Sequence, residues 1–251
     1  MNKYAVIGLV IVVAVIVSAV AYYLNTQQSQ AVTTSTPTSS TLTTSVTSSS
    51  TSTTTSVTTA STSSSGLSPT EVEAIKYMAE EEKLALDVYT KLAQMNPNVP
   101  VFSNIAKSEQ THVNAVLSLA KKYGISITLG PPGKYSNEHI QELYNKLIAE
   151  GSKGLEQALK VGALIEETDI KDLQDWIAKV HHDDIKQVFE CLMMGSRNHL
   201  RAFTSTLEKM FHTTYTPQVL PEKEYEQIIN SPMETGPNNI CAKLGINVGA
   251  K

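Results

Sequence analysis

The sequence predicts an all-α fold: a four-helix bundle with a crossover segment containing a short helix, preceded by a transmembrane helix and a disordered linker. Three observations carry this. Apolar residues recur at helical 3-4 spacing in four long segments after residue 66, and nothing reads as a confident strand. A loop with one short amphipathic stretch separates the second long segment from the third, as a crossover connection requires.

Tyr4 to Leu24 carry no charge over about 20 residues, ~30 Å as a helix, enough to span a bilayer. Lys3 precedes the span, and Tyr22 and Tyr23 sit where an interfacial belt belongs. Residues 1–25 therefore read as a single-pass anchor with the remainder extracytoplasmic. Ala19-Val20-Ala21 keeps a cleaved signal peptide, and hence a secreted protein, open. Residues 26–66 are almost wholly Ser and Thr, a composition that builds no core. They read as a disordered stalk, O-glycosylated or a bare tether; no Asn-x-Ser/Thr sequon occurs in the chain.

Residues 67–212 read as the bundle. Ser68-Pro69-Thr70-Glu71 is a capping box opening the first helix, with Ile75, Met78, Ala79, Glu82, Ala85, Leu86, Tyr89 and Leu92 on one face. Asn96-Pro97-Asn98 ends it. Ser103 is expected to cap the second helix, whose stripe is Ile105, Glu109, His112, Val116 and Leu119, stopped by Gly124. Gly130-Pro131-Pro132-Gly133 lacks the Lys-Ser/Thr of a phosphate loop. A short helix over 137–150 follows. The third long helix is expected from about Ser152 to Val180, through Leu159, Gly162, Glu166, Asp169 and Leu173. The fourth runs from Asp183 or Asp184 to about Phe211, through Phe189, Leu192, Ser196, His199 and Phe203. Residues 213–251 read as a tail with one short helix near 222–229.

All 24 acids and all but one of the 20 Lys and Arg lie after residue 66, so this part is net acidic. With no basic run and a single Trp, nucleic acid is not an expected partner.

Each long helix carries an ionisable residue near mid-length on its apolar stripe. Burying such a group is costly unless it is paired or binds metal. Residues at i and i+3 share a helix face, so Glu109 with His112, and Glu166 with Asp169, can each address one centre. Glu82 and His199 join from the other two helices. Glu81 and Glu167 are the rivals of Glu82 and Glu166. Carboxylates with imidazoles suit iron or manganese, and also zinc. Against this stands an ordinary apolar bundle with hydrogen-bonded core histidines. Cys191 and Cys241 either pair, pinning the tail, or leave Cys191 a buried thiol. His181-His182-Asp183-Asp184 reads as a helix boundary with capping acids rather than a metal site.

Four stretches carry a resemblance: 81–89 (Glu-Glu-Lys-Leu-Ala-Leu-Asp-Val-Tyr), 100–112 (Pro-Val-Phe-Ser-Asn-Ile-Ala-Lys-Ser-Glu-Gln-Thr-His), 162–170 (Gly-Ala-Leu-Ile-Glu-Glu-Thr-Asp-Ile) and 195–203 (Gly-Ser-Arg-Asn-His-Leu-Arg-Ala-Phe). From about Leu67 to Phe211 the chain resembles the ferritin-like superfamily, most closely its branch called domain of unknown function 2202. The resemblance implies a ferritin-like four-helix bundle. Rubrerythrin-like relatives imply the site: Glu82, Ala85 and Tyr89 match their first helix, Glu109 and His112 their second, Glu166 and Asp169 their third. Their fourth helix has Glu-x-x-His where this chain has Ser196 and His199, one carboxylate fewer, so the second metal is weaker, absent or completed by water. The rubredoxin-like iron module of such relatives needs four cysteines, and this chain has two.

The expected function is a membrane-tethered di-iron (or manganese) protein, with one metal as a variant, acting on oxygen or peroxide as peroxidase or oxidase. Tyr89 is a candidate donor of a hydrogen bond or electron, or an ordinary core Tyr. Non-enzymatic metal binding and a metal-free interaction module on a glycosylated stalk are the alternatives. A homodimer is a further expectation for assembly.

Overall fold

The computed structural model describes residues 66–236 and 240–249. The chain there runs through α1 (Pro69–Met95), α2 (Pro100–Lys122), α3 (Glu138–Gly151), α4 (Leu155–Ile177), α5 (Asp183–Phe211), α6 (Glu222–Ile229) and α7 (Ile240–Lys243). Among the described residues there is no strand, and no helix is long and apolar enough to cross a membrane. The span expected at Tyr4–Leu24 and the Ser/Thr stalk lie outside the described residues.

Local chemistry sets the ends. The Ser68 hydroxyl accepts from Glu71 N at 3.3 Å while the Glu71 carboxylate accepts from Ser68 N at 2.9 Å, closing the capping box. The second oxygen of Glu71 accepts from the backbone N–H groups of His181 and His182 at 2.9 and 3.1 Å, so one acid ties the starts of α1 and α5 together.

Ser103 does not cap α2. The helix begins three residues earlier, at Pro100, with Val99 as an N-cap that makes no side-chain bond. Proline at the first helical position is already set to helical φ, and its missing N–H is one that a helix start leaves without an intrahelical partner anyway, so α2 starts there. The Ser103 hydroxyl instead donates to Pro100 O at 3.1 Å. α4 likewise starts at Leu155 rather than near Ser152, which is the C-cap of α3; Gly154, at φ 148°, breaks the two helices apart.

α1 packs along α2 and α4 along α5; contacts of α2 with α5 and of α1 with α4 close the bundle, and α3 crosses against α1 and α4. The crossover loop is fastened by buried Asp87, which accepts from Gly133 N and Tyr135 OH, each at 2.8 Å, and pairs with Lys83. Lys83 also lies 4.3 Å over the Tyr135 ring.

The tail is part of the packed body. Tyr215, Leu220, Tyr225 and Ile228 join one half of the core, and Cys241 and Ile246 join the other. Cys191 and Cys241 form a disulfide, which resolves the alternative left by the sequence and joins α5 to α7, a second short helix that sequence patterning does not reveal.

The apolar core is divided in two. One half contains Leu84, Tyr89, Phe102, Ile105, Leu164, Leu200 and Phe203; the other contains Ile75, Met78, Val116, Leu119, Leu173, Phe189 and Leu192. On α1, α2 and α5 the break falls at the acids and histidines of the candidate site; on α4 it falls just past Asp169, between Ile170 and Leu173.

Candidate metal centre

The layer between the two core halves is polar and sealed. Glu82 comes from α1, Glu109 and His112 from α2, Glu166 and Asp169 from α4, and Ser196 and His199 from α5. None is more than 5% exposed. Two groups form within it: Glu82, Glu109 and His112, and Glu109, Glu166 and His199, each with one atom per residue within 4.8 Å of the others. An ion about 2.1 Å from each ligand atom holds its ligands about 3–4 Å apart, so both groups are of the right size. Glu109 belongs to both. Its Oε2 lies 2.9 Å from His112 Nδ1 and its Oε1 2.8 Å from His199 Nδ1. The two imidazoles stack at 5.5 Å between centroids.

The hydrogen bonding of this layer is incomplete. His199 Nδ1 is 3.5 Å from Glu166 Oε2 as well as close to Glu109, yet neither oxygen lies on the line of a ring N–H bond. Among the described residues His199 Nε2, Glu82 Oε1 and Asp169 Oδ1 also lack a partner. Buried polar atoms are rarely left so. Converging acids and imidazoles whose hydrogen bonding is incomplete could hold a cation.

The electrostatics of the layer are those of buried acids and imidazoles paired with one another. Burial alone would lower the pKa of both histidines. For His112 the carboxylates of Glu109 and Glu82 outweigh it and hold the ring well above its ordinary value; for His199, Glu109 and Glu166 hold it at about 9. Burial would raise Glu109, but the flanking imidazoles pull it well below the ordinary carboxylate range. Burial raises Glu82 to about 7 against the pull of His112. Glu166 is raised chiefly by burial, and Asp169 by burial and then by Glu82 and Glu166.

The rival acids do other work. Glu81 turns to Asp172, which also accepts from Tyr77 OH at 2.8 Å. Glu167 accepts from Tyr215 OH at 2.6 Å and from the backbone N–H groups of Gln218 and Leu220 at 3.0 and 3.2 Å, holding the tail. Asp169 joins neither group: its Oδ2 accepts from the Ser196 hydroxyl. Tyr89 OH donates to Glu166 Oε1 at 2.6 Å, fixing that carboxylate and leaving Oε2 toward His199. His182 is at the N-cap of α5 and pairs with Glu71, away from the centre.

Two participants escaped the sequence reading. Asn247 O lies 3.2 Å from His112 Nε2. Gly195 leaves the slot the ring occupies; a Cβ there would meet His112 Cε1 at 2.6 Å. A glycine inside a strong helix costs about 1 kcal/mol, which was a usable signal for Gly195. Asn247, in an aperiodic tail, offered none.

The family model described as "Uncharacterized protein domain (DUF2202)" matches residues 71–232. An uncharacterized protein of Methanocaldococcus jannaschii is 48% identical over 174 residues, 68% of this chain and 93% of the relative. The crystal structure of a hypothetical protein from Methanococcus jannaschii matches at a TM-score of 0.65 and 48% identity, covering 67% of this chain and 96% of that one. The matched stretch holds all but the first two residues of α1, the whole of α2 to α6 and both Glu/His groups, and on that extent and identity the chain belongs to the DUF2202 family.

Proposed function

We propose that the chain is a ferritin-like, membrane-tethered, extracytoplasmic protein that holds a two-metal carboxylate centre of iron or manganese, with a peroxidase- or oxidase-type role. One observation carries the metal reading: Glu109 stands between two Glu/His groups and offers one oxygen to each, the position of a bridging carboxylate. Glu82, His112, Glu166 and His199 complete the ligand set, and Asp169 contributes charge from the second row. Four carboxylates against two divalent cations leave the buried layer near neutrality. The tether rests on the Tyr4–Leu24 span and the stalk behind it.

A redox metal held there would supply electron-transfer chemistry toward oxygen or peroxide, the electrons coming from an external reductant. The chain's own residues do the rest. The two apolar core halves exclude bulk water. Tyr89 OH orients Glu166, Asn247 O orients His112, and the histidines hold protons that a cation displaces. A second reading, metal held without turnover, is favoured by how closed the layer is.

The test is elemental mass spectrometry on protein purified without chelators, beside its ultraviolet–visible spectrum. About two metals per chain are expected. Glu109→Ala loses both because the ligand is shared, and His199→Ala loses one. Unchanged stoichiometry in Glu109→Ala sinks the assignment. Peroxide consumption by the loaded protein separates the redox role from simple metal holding.

A further inference from the structure

We infer that the C-terminal segment around Asn247 is a positioning element of the metal centre, acting on its His112 half alone. The inference rests on the two-metal reading and extends it to an ordered, unequal pair of sites.

Asn247 is clamped to α2 through its backbone. Its N–H donates to Thr111 Oγ1 at 2.9 Å, and its carbonyl accepts from the Ser108 hydroxyl and from His112 Nε2 at 3.2 Å. A carbonyl only accepts, so Nε2 must carry the hydrogen. Once a cation displaces the second proton, His112 presents its lone pair at Nδ1, the atom facing Glu82 and Glu109 at 3.2 and 2.9 Å. An imidazole that donates its outer N–H to a fixed carbonyl is held in tautomer and orientation for a cation.

The segment is itself held on both sides of Asn247. Before it, the Cys191–Cys241 disulfide fixes the chain to α5, Ile246 is buried in the core, and Ile246 N donates to Cys241 O at 2.9 Å. After it, Val248 O accepts from Asn198 Nδ2 on α5. Asn198 also accepts from Glu234 N at 2.8 Å, so the same side chain grips the tail twice. Gly195, one turn before Asn198, leaves the ring its slot beneath this strap.

His199 has no counterpart: among the described residues its Nε2 meets no acceptor. The imidazole of one half is therefore preorganised and that of the other is not. The Glu82/Glu109/His112 group takes the first cation, and the Glu109/Glu166/His199 group the second, more weakly.

The experiment compares the full chain with Ser108→Ala/Thr111→Val, which removes the clamp while keeping side-chain shape, and with Cys241→Ser, which frees the strap. Mn2+ binding is titrated by calorimetry. Ring hydrogen exchange at His112 and His199 is followed by mass spectrometry on metal-free protein. The expected result is a tighter Mn2+ step weakened about 10- to 100-fold with the weaker step unmoved, and faster ring exchange at His112 only. Equal weakening of both steps, or Mn2+ bound as in the unaltered chain with His112 still protected, overturns the inference and leaves the metal reading standing. No Mn2+ or ferrous iron bound by any form, the unaltered chain included, overturns the metal reading and the inference with it.

Discussion

Gly195 and Gly162 both sit inside long helices, where glycine is the wrong choice on propensity alone. Each makes room for a ring: a Cβ on Gly195 would meet His112 at 2.6–2.7 Å, and one on Gly162 would meet Phe203 at the same separation. His112 cannot swing aside without losing Asn247 O. Gly195→Ala should therefore destabilise the fold by about 1–3 kcal/mol in urea unfolding despite the gain in helix propensity, and cost one bound metal. A stabilised variant with both metals would show that the slot is not needed. At this scale the sequence was partly legible. Helical phase separates neighbours by about 100°, which is why Glu82 shares the layer with the histidines while Glu81 faces Asp172. The same phase divides Glu166 from Glu167. What phase does not encode is which non-local partner an acid meets, so the pairing of Asp169 with Ser196 and the capture of Tyr215 by Glu167 had to come from the fold.

The four long helices were legible as elements because each repeats its apolar stripe over six or more turns. Their ends were less so. Ser103 and Ser152 are good cap residues, but Pro100 and Gly154 impose backbone constraints worth more than a side-chain cap, and the helices begin at those points. The tail was hardest. Its order comes from scattered anchors such as Glu167, the disulfide and Asn198, with no periodicity behind them. Glu167 lies at 0% exposure and serves a hydroxyl and several backbone N–H groups. Glu167→Ala would leave those donors buried without an acceptor, at a cost of about 2–3 kcal/mol. The loss should be local: amide exchange at Gln218 and Leu220 rises while α1 and α2 stay protected. Exchange unchanged at those amides would mean that Tyr215 and Leu220 hold the segment by packing alone.

Taken whole, the molecule is two apolar half-cores separated by a charged layer, and without a cation that layer works against stability. The metal-free chain lessens the cost by keeping protons on its histidines and on Glu82. On the proposed metal reading, loading would expel them. His199 is held at about 9 and Glu82 at about 7, so at neutral pH the first is charged and the second is half protonated. The sign follows from linkage. A histidine with a raised folded pKa stabilises the metal-free fold fully below its unfolded value near 6.5, and that stability fades as pH rises through 9. Glu82, raised by burial, costs the metal-free fold stability as pH rises from its ordinary value of 4.5 through about 7. Both effects weaken metal-free protein toward alkaline pH. Metal affinity moves the other way, gaining up to about tenfold per pH unit for each proton displaced. Thermal melts with and without Mn2+ should therefore diverge from pH 6 to 9. At a concentration of 100 times Kd the metal contributes about 2.7 kcal/mol, a rise in Tm of about 5–10 °C for a body of this size. A gap that stays constant over that range would mean that no proton leaves the layer on loading, and that the histidines are not where the cations bind.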